Sequence, residues 1–369
     1  VLIGPNGSGK SNLIEAISLL QACPVDLLKP IRETGGISDW LWKGAEAPNE
    51  AELDVCVSLP SKTGALRHRL SLGRVANRVE VIDEAIENER PNSPNDKDVY
   101  FYYRYQRGHP VLNVQSPGTR PPKKRQLQRE DLQIDQSVLS QRKDPEQYPE
   151  LTYLNTSYSK IRIFRDLEFS RNSRSRGPQP ADTSRDFLAE DGKNLAMVLN
   201  RFDHLGKLET LNERLTDADG TISRISTAVE GNTVQFYLHY KNLRAAVPAN
   251  RLSDGTVRYL ALLSILLHPD PPLLVCIEEP EIGLHPDLLP EIAKLLIDAS
   301  HRTQLVVTTH SDILVDALTE VPQSVLVCEK HQGPTTIGRK SAEELSSWLT
   351  EDYGLGQLWR KGELGGVRW

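Results

Sequence analysis

The chain has 369 residues, 38% of them hydrophobic and 25% charged, with a formal net charge of −6 at pH 7. That length suits one large α/β domain carrying a sub-domain, or two domains. The acidic balance argues against a surface coated in basic residues for sequence-independent nucleic-acid binding and leaves room only for local basic patches. No apolar run approaches the ~20 residues that a membrane-spanning helix needs. The four cysteines, Cys23, Cys56, Cys276 and Cys328, have neither C-x-x-C spacing nor a neighbouring histidine pair. They read as reduced thiols of a cytoplasmic protein, not as a zinc site or a disulfide framework.

The chain opens on Val1-Leu2-Ile3, an apolar strand end, so a leading strand is expected upstream of the first residue. Gly4-Pro5-Asn6-Gly7-Ser8-Gly9-Lys10-Ser11 follows and satisfies G-x-x-x-x-G-K-[ST] at every fixed position. Glycines in such a loop turn backbone N–H groups onto phosphate oxygens, the lysine sets a point charge against the β/γ-phosphates, and the serine offers a hydroxyl to Mg²⁺. Asn12 to Leu20 has helical periodicity, so the phosphates are expected on a helix N-terminus, held by Asn6, Gly7, Ser8, Gly9, Lys10, Ser11 and Asn12.

Pro24 to Gly44 mixes turn residues with Trp40 and Trp42. A loop and short helix packing both tryptophans on the sheet is preferred to adenine stacking. From Glu50 to Gln115 the pattern alternates with period two, through Ala51–Val57, Leu66–Leu72, Val79–Ile82, Val99–Tyr105 and Val111–Val114. This predicts an antiparallel meander, its last hairpin turning at Arg107-Gly108-His109-Pro110. The tyrosines with Arg104 and Arg107 could stack nucleic-acid bases, but cross-strand aromatic pairing is the commoner cause of such a cluster.

Gln115 to Arg129, with Lys123-Lys124-Arg125, and Ser170 to Pro180 both read as exposed basic connections that could touch phosphates. Solvated loops are the preferred reading of both. Between them Gln136 and Gln141 are alternatives for a side chain near the metal or attacking water, and the sequence does not choose. His204 to Leu215 is expected to be a helix, and Thr221–Ile225 with Thr233–Leu238 a hairpin turning at Glu230-Gly231-Asn232.

Arg251-Leu252-Ser253-Asp254-Gly255-Thr256 precedes a helix with apolar residues at Val257, Leu260, Ala261 and Leu267. Ser253 is placed to cap it, and a helix N-terminus with a free hydroxyl and a glycine is also an anion site. Leu273 to Ile277 is a continuous apolar run that fills a buried parallel strand, and it ends in Glu278-Glu279-Pro280-Glu281. Adjacent carboxylates at such a strand end are costly without a cation or a reaction to serve. Glu278 is assigned to the metal and Glu279 to the attacking water. Gln304 to Thr309 is a second buried strand, and it delivers His310 and Ser311 to the edge where ligands lie in open α/β sheets. His310 is read as a γ-phosphate sensor. Glu279, His310 and Lys10 form the expected catalytic set, with Ser11 and Glu278 as metal ligands.

With these residues in hand, the chain resembles the ABC-type ATPases of the SMC/RecF branch, and in particular stand-alone bacterial ATPases of the AAA family found in anti-phage or DNA-repair settings. The resemblance rests on the P-loop, Leu252-Ser253-Asp254-Gly255-Thr256, the block Glu278 to Pro286, and Thr308-Thr309-His310-Ser311. It implies an α/β P-loop NTPase fold: a mostly parallel core sheet with an inserted antiparallel β subdomain and a helical lid. It implies ATP and Mg²⁺ as ligands, and a head-to-head homodimer in which Ser253 and Gly255 bind the γ-phosphate held by the partner's P-loop. Expected partners are an effector such as a nuclease or toxin, or DNA, with no membrane. A nucleic-acid-binding repair clamp of the RecF type is the alternative, and the motor subunit of a transporter a weaker one. Two departures stand out: Glu278 replaces the usual aspartate, and Asp254 replaces the second glycine of the signature, adding a negative charge near the phosphate. The absence of sustained heptads excludes long SMC arms, and Lys340 to Trp369 is too short for the Toprim domain of OLD nucleases. The expected division is 1–49 for the P-loop part, 50–115 for the β subdomain, 116–250 for a helical and hairpin insertion, and 251–369 for the signature, Walker B and switch half.

Overall fold

A six-stranded sheet organises the P-loop part of the chain, in the order Thr335–Gly338, Leu326–Lys330, Leu2–Ile3, Gln304–Thr308, Leu274–Glu278 and Arg162–Phe164. All neighbours run parallel except Thr335–Gly338, which pairs antiparallel with Leu326–Lys330. The computed structural model describes residues 1–44, 49–59, 64–76, 78–91, 93, 98–106, 109–114, 123–126, 132–165, 167, 169–170, 173–330, 333–341, 344–345 and 353–365. The chain divides into two units, Val1–Asn12 with Arg162–Trp369, and Leu13–Ile161; the boundary at residue 12 falls inside the helix Lys10–Ala22.

In the first unit the central strands are apolar because both faces are covered. Ile3, Val275, Cys276 and Ile277 are buried, as are Val257, Leu260 and Leu263 of the helix Asp254–Leu266 and Ile292, Leu295 and Leu296 of the helix Leu289–Ser300. Leu2 lies opposite both Thr308 and Leu326, and Glu278 opposite Thr308. This register brings the carboxyl ends of three strands out at one edge. A smaller antiparallel sheet joins Ile222–Glu230, Thr233–Tyr240, Val247–Pro248 and Gln179–Pro180, and its hairpin turns through Gly231 as expected.

The second unit contains the antiparallel meander. Glu50–Ser58, Ala65–Val75, Arg78–Asn88, Phe101–Gln106, His109–Val114 and Lys123–Gln126 each pair with the next. Tyr102, Tyr103 and Tyr105 are buried, and the Tyr102 hydroxyl donates to Asn88 Oδ1 at 2.8 Å, so cross-strand packing accounts for the cluster. Behind this sheet Glu84 anchors a buried polar network. Its carboxylate accepts from Ser137 Oγ at 2.5 Å and Val138 N at 2.9 Å, and lies 3.1 Å from His68 Nε2. His68 Nδ1 meets the Tyr158 hydroxyl at 3.2 Å, and burial pushes that phenol well above its usual pKa, so it stays a donor. Tyr158, His68 and Glu84 are thus joined in series, so each of these buried polar groups has a partner.

Several sequence expectations are corrected. Lys123-Lys124-Arg125 forms a strand paired with Val111–Val114, not a loop, because an unpaired sheet edge accepts any extended segment that reaches it. Ser170–Pro180 is not a solvated connection throughout: Ser175, Arg176 and Gln179 are buried. Trp42 is 46% exposed, and among the described residues that stretch forms the short helices Lys29–Glu33 and Ile37–Trp40. His204 ends the helix Leu195–His204, and a separate helix runs Leu208–Ala218, because Gly206 takes the left-handed conformation between them. The expected turn residues Arg107 and Gly108 and residues 115–122 and 127–131 of the basic connection lie outside the described residues. Among the described residues no helix is long and apolar enough to cross a membrane.

Two outcomes follow from this packing. Glu84→Ala strands three buried donors at about 1–3 kcal/mol each, so urea unfolding should show a loss of about 3 kcal/mol or more; an unchanged midpoint would contradict the network. Cys56 is exposed whereas Cys23, Cys276 and Cys328 are buried, and burial pushes the Cys276 thiol up to about 12. A thiol-reactive dye on native protein should therefore modify Cys56 quickly and the others only after denaturation.

Candidate active site

The P-loop turns back on itself between Leu2–Ile3 and the helix Lys10–Ala22. Lys10 is 6% exposed, and its Nζ donates to Gly4 O at 2.8 Å and Pro5 O at 3.1 Å, so the ammonium lies inside its own loop. Burial lowers its pKa, and the charges of Glu279, Glu278 and Glu281 oppose that shift. Ser8 Oγ is buried with no hydrogen-bond partner among the described residues. Gly9 has φ +94°, and a Cβ there would stand 2.1 Å from Thr335 Oγ1, so the loop is pressed against the edge strand Thr335–Gly338. Thr335 carried no motif and was invisible in the sequence.

Opposite the loop, Ser11 Oγ donates to Glu278 Oε2 at 3.0 Å, although 267 positions separate them. Adjacent oxygen ligands of Mg²⁺ stand about 3.0 Å apart when each bond is about 2.1 Å, so this pair fits the metal assigned to it. The other oxygen, Glu278 Oε1, lies 3.2 Å from Arg165 Nε. Arg165 follows the strand Arg162–Phe164, which pairs with Val275–Ile277. Only that pairing brings the arginine to the site.

Glu279 adopts φ +47°, one of two non-glycine residues with positive φ among the described residues. Such a conformation costs on the order of 1–3 kcal/mol and persists only where its surroundings impose it. Here its N–H donates to Thr308 O at 3.0 Å, and Ile282 N donates back to Glu279 O at 3.1 Å. The carboxylate is thereby turned away from the strand direction, and its Oε1 lies 3.6 Å from His310 Nε2. Glu281 ties the same two segments: its Oε1 accepts from Thr309 Oγ1 and from His310 N, each at 2.7 Å, while Oε2 is buried without a hydrogen-bond partner among the described residues. Lys10, Ser11, Glu278, Glu279 and His310 therefore belong to one edge, as the motif order implied, and Glu281 and Arg165 join them.

The signature residues make a second cluster. Ser253 caps the helix Asp254–Leu266, accepting from Thr256 N at 3.1 Å and sharing a hydrogen bond with Thr256 Oγ1 at 2.7 Å. Gly255 is crowded: a Cβ on it would lie 2.8 Å from Gly283 O. Asp254 does not stand as a free charge. The buried Arg176 guanidinium donates to its carboxylate. Gln136 and Gln141 belong to the other unit, where both are hydrogen-bonded within that unit. Gln136 Oε1 accepts from Leu27 N at 3.2 Å, and Gln141 bonds both backbone groups of Gln133, at 2.7 and 3.2 Å. Among the described residues no cluster of three or more His, Cys, Asp or Glu could hold a metal by itself. A cation here would depend on Ser11, Glu278 and the phosphates.

A P-loop at the carboxyl edge of a parallel sheet, facing paired glutamates and a histidine from neighbouring strands, defines a P-loop ATPase, a class that binds ATP. The family described as "AAA domain, putative AbiEii toxin, Type IV TA system" matches residues 1–316, and the chain belongs to it. Among solved structures it is similar to an Smc head bound to the C-terminal winged-helix domain of ScpA, with a TM-score of 0.56 and 14% identity over 93% of this chain and 91% of that one. It is also similar to the Smc head domain with an extended coiled coil, bound to the C-terminal domain of ScpA, from Pyrococcus furiosus, with a TM-score of 0.50 and 13% identity over 94% and 91%. At such identities the likeness is one of fold: this chain has the SMC-head fold. No curated protein matches the sequence.

Gly9→Ala tests the cradle. It adds strain at φ +94° and a clash with Thr335, so ATP affinity should fall about tenfold or more in a fluorescent-nucleotide titration. Adding Thr335→Ala should recover part of the loss, since it removes the closest contact and leaves the backbone strain.

Proposed function

We propose that this ATPase is Mg²⁺-dependent and acts as a head-to-head dimer whose ATP-driven closure controls a separate effector, a nuclease or toxin, or DNA. The observation that carries the reading is Glu279: a glutamate held at φ +47° next to a buried strand, with its carboxylate 3.6 Å from His310. Strain of that kind is maintained where a side chain must be aimed.

In this reading Lys10 leaves the carbonyls of Gly4 and Pro5 for the β/γ-phosphates, and the P-loop N–H groups receive the phosphate oxygens. Ser11 and Glu278 are the residues that would hold Mg²⁺, which when bound neutralises charge on the transferring phosphoryl group. Arg165 offsets the charge of Glu278 on its far side. Glu279 orients the attacking water and accepts its proton, and His310 donates toward the γ-phosphate from a position that Glu281 sets through the His310 amide. Ser253 and Gly255 would meet the γ-phosphate of the partner copy. Ser253 is exposed, and Ile282, beside the Gly283 carbonyl that touches Gly255, is 50% exposed, which suits a surface covered on dimerisation.

The burial of Tyr102, Tyr103 and Tyr105 supports effector control over a base-stacking clamp. The toxin and toxin–antitoxin terms in the family's description support a defence setting over a repair one.

Glu279→Gln is the direct test. Turnover should fall by about two orders of magnitude or more, the range for loss of a general base, while ATP binding is retained. Light scattering after size-exclusion chromatography should then show a dimer with Mg-ATP and a monomer without it. Wild-type turnover in the variant would remove Glu279 from the mechanism, and a mass indifferent to ATP would remove closure.

A further inference from the structure

The charge at Asp254 is met by a residue that no motif marks. Arg176 lies in the short 3-10 turn Arg174–Arg176, and its side chain is 1% exposed. Its Nε donates to Phe169 O at 2.9 Å, Nη2 to Phe169 O at 2.5 Å and to the Asp254 carboxylate, and Nη1 to Leu252 O at 2.6 Å. One guanidinium thus grips the chain at Leu252 and again at Asp254, and Ser253 is the residue between the two grips. The supports of Arg176 are themselves fixed. Gln179 Nε2 donates to Ser175 O at 3.1 Å, and Gln179 Oε1 accepts from Met197 N at 3.2 Å, next to a core of buried apolar residues.

Two physical consequences follow. A carboxylate at the first position of a helix is favoured by the helix dipole but competes there with an incoming phosphate for the same N-terminal field. Pairing it with a desolvated guanidinium offsets its charge in that field. A planar fork that satisfies carbonyl and carboxylate oxygens together also sets direction, which an ammonium cannot reproduce.

We infer that Arg176 is a positioning residue for the signature loop: by holding Leu252 O and Asp254 together it neutralises Asp254 and presents Ser253 and Gly255 to the γ-phosphate bound by a second copy of the chain. The inference rests on the dimer reading above. Arg176 does not itself touch nucleotide.

The test uses full chain in the Glu279→Gln background, with Arg176→Lys, Asp254→Asn and the double variant. Sedimentation measures ATP-dependent self-association, and a fluorescent ATP analogue at low protein concentration measures binding to the monomer's own P-loop. Each single variant should weaken self-association about tenfold or more with monomer ATP affinity within about twofold, and the double should be no worse than the poorer single, as expected of two residues acting as one unit. Self-association within about twofold of the parent, a parallel fall in monomer binding, or additive losses would each overturn the assignment. Asp254→Asn leaves the buried arginine in place, so it gives an answer even if Arg176→Lys misfolds. Should the parent itself fail to dimerise on ATP, the dimer reading falls, and hydrogen exchange decides the positioning claim separately. Amides of Thr256 and Val257, which bond Ser253 Oγ and Ser253 O, should exchange about tenfold faster in Asp254→Asn while P-loop amides stay unchanged. Equal rates would refute it.

Discussion

Glu278, Glu279 and Glu281 crowd the end of one buried strand, and the architecture of the site depends on offsetting that charge. Left alone, three carboxylates at such an edge would repel one another in a poorly solvated place. Each has a distinct partner set. Glu278 lies between Ser11 and Arg165, Glu279 is turned toward His310, and Glu281 is absorbed by the Thr309 hydroxyl and the His310 amide. Lys10, buried within the P-loop, lies in the field of all three. The edge results from partners that follow three different strands and meet the glutamates of a fourth, which is why it cannot exist without the parallel sheet.

The two substitutions that set this chain apart from the usual ABC pattern have the same physical logic. Glutamate at 278 is one methylene longer than aspartate, and its two oxygens reach Ser11 on one side and Arg165 on the other. Aspartate at 254, where a glycine is usual, is matched by a buried arginine from a different segment. In both cases an altered acidic residue comes with a guanidinium that accounts for it. Gly255 has a reason to be glycine within its own chain, because the Gly283 carbonyl leaves no space for a Cβ. The signature helix and the block after the paired glutamates are thus in direct backbone contact.

The meander unit depends on a different device. Its hydrophobic alternation buries the tyrosines, and one carboxylate, Glu84, satisfies donors from a neighbouring strand and from the segment Ser137-Val138. Such a network is specific because every member has a partner, and it fixes where that segment enters the unit. Gln136 is held by Leu27 N and Gln141 by the backbone of Gln133.

The P-loop, the paired glutamates and His310 were legible from the sequence because each follows a short apolar run, and a buried parallel strand must deliver what comes after it to the ligand edge. The meander was legible from period-two alternation for the same local reason. Residues that act through pairing between distant segments carried no such pattern. Arg165, Arg176 and Thr335 read as ordinary polar residues, and Ser170–Pro180 as a solvated loop, because a guanidinium looks solvent-seeking until its carbonyl and carboxylate partners are known. The φ of Glu279 was equally hidden, being imposed by Thr308 and the turn to Ile282 and not by its own side chain. The sequence by itself determined the chemistry available and the order of its parts along the chain. Tertiary structure alone decided which charges meet, because long-range sheet register, and not local propensity, sets those distances.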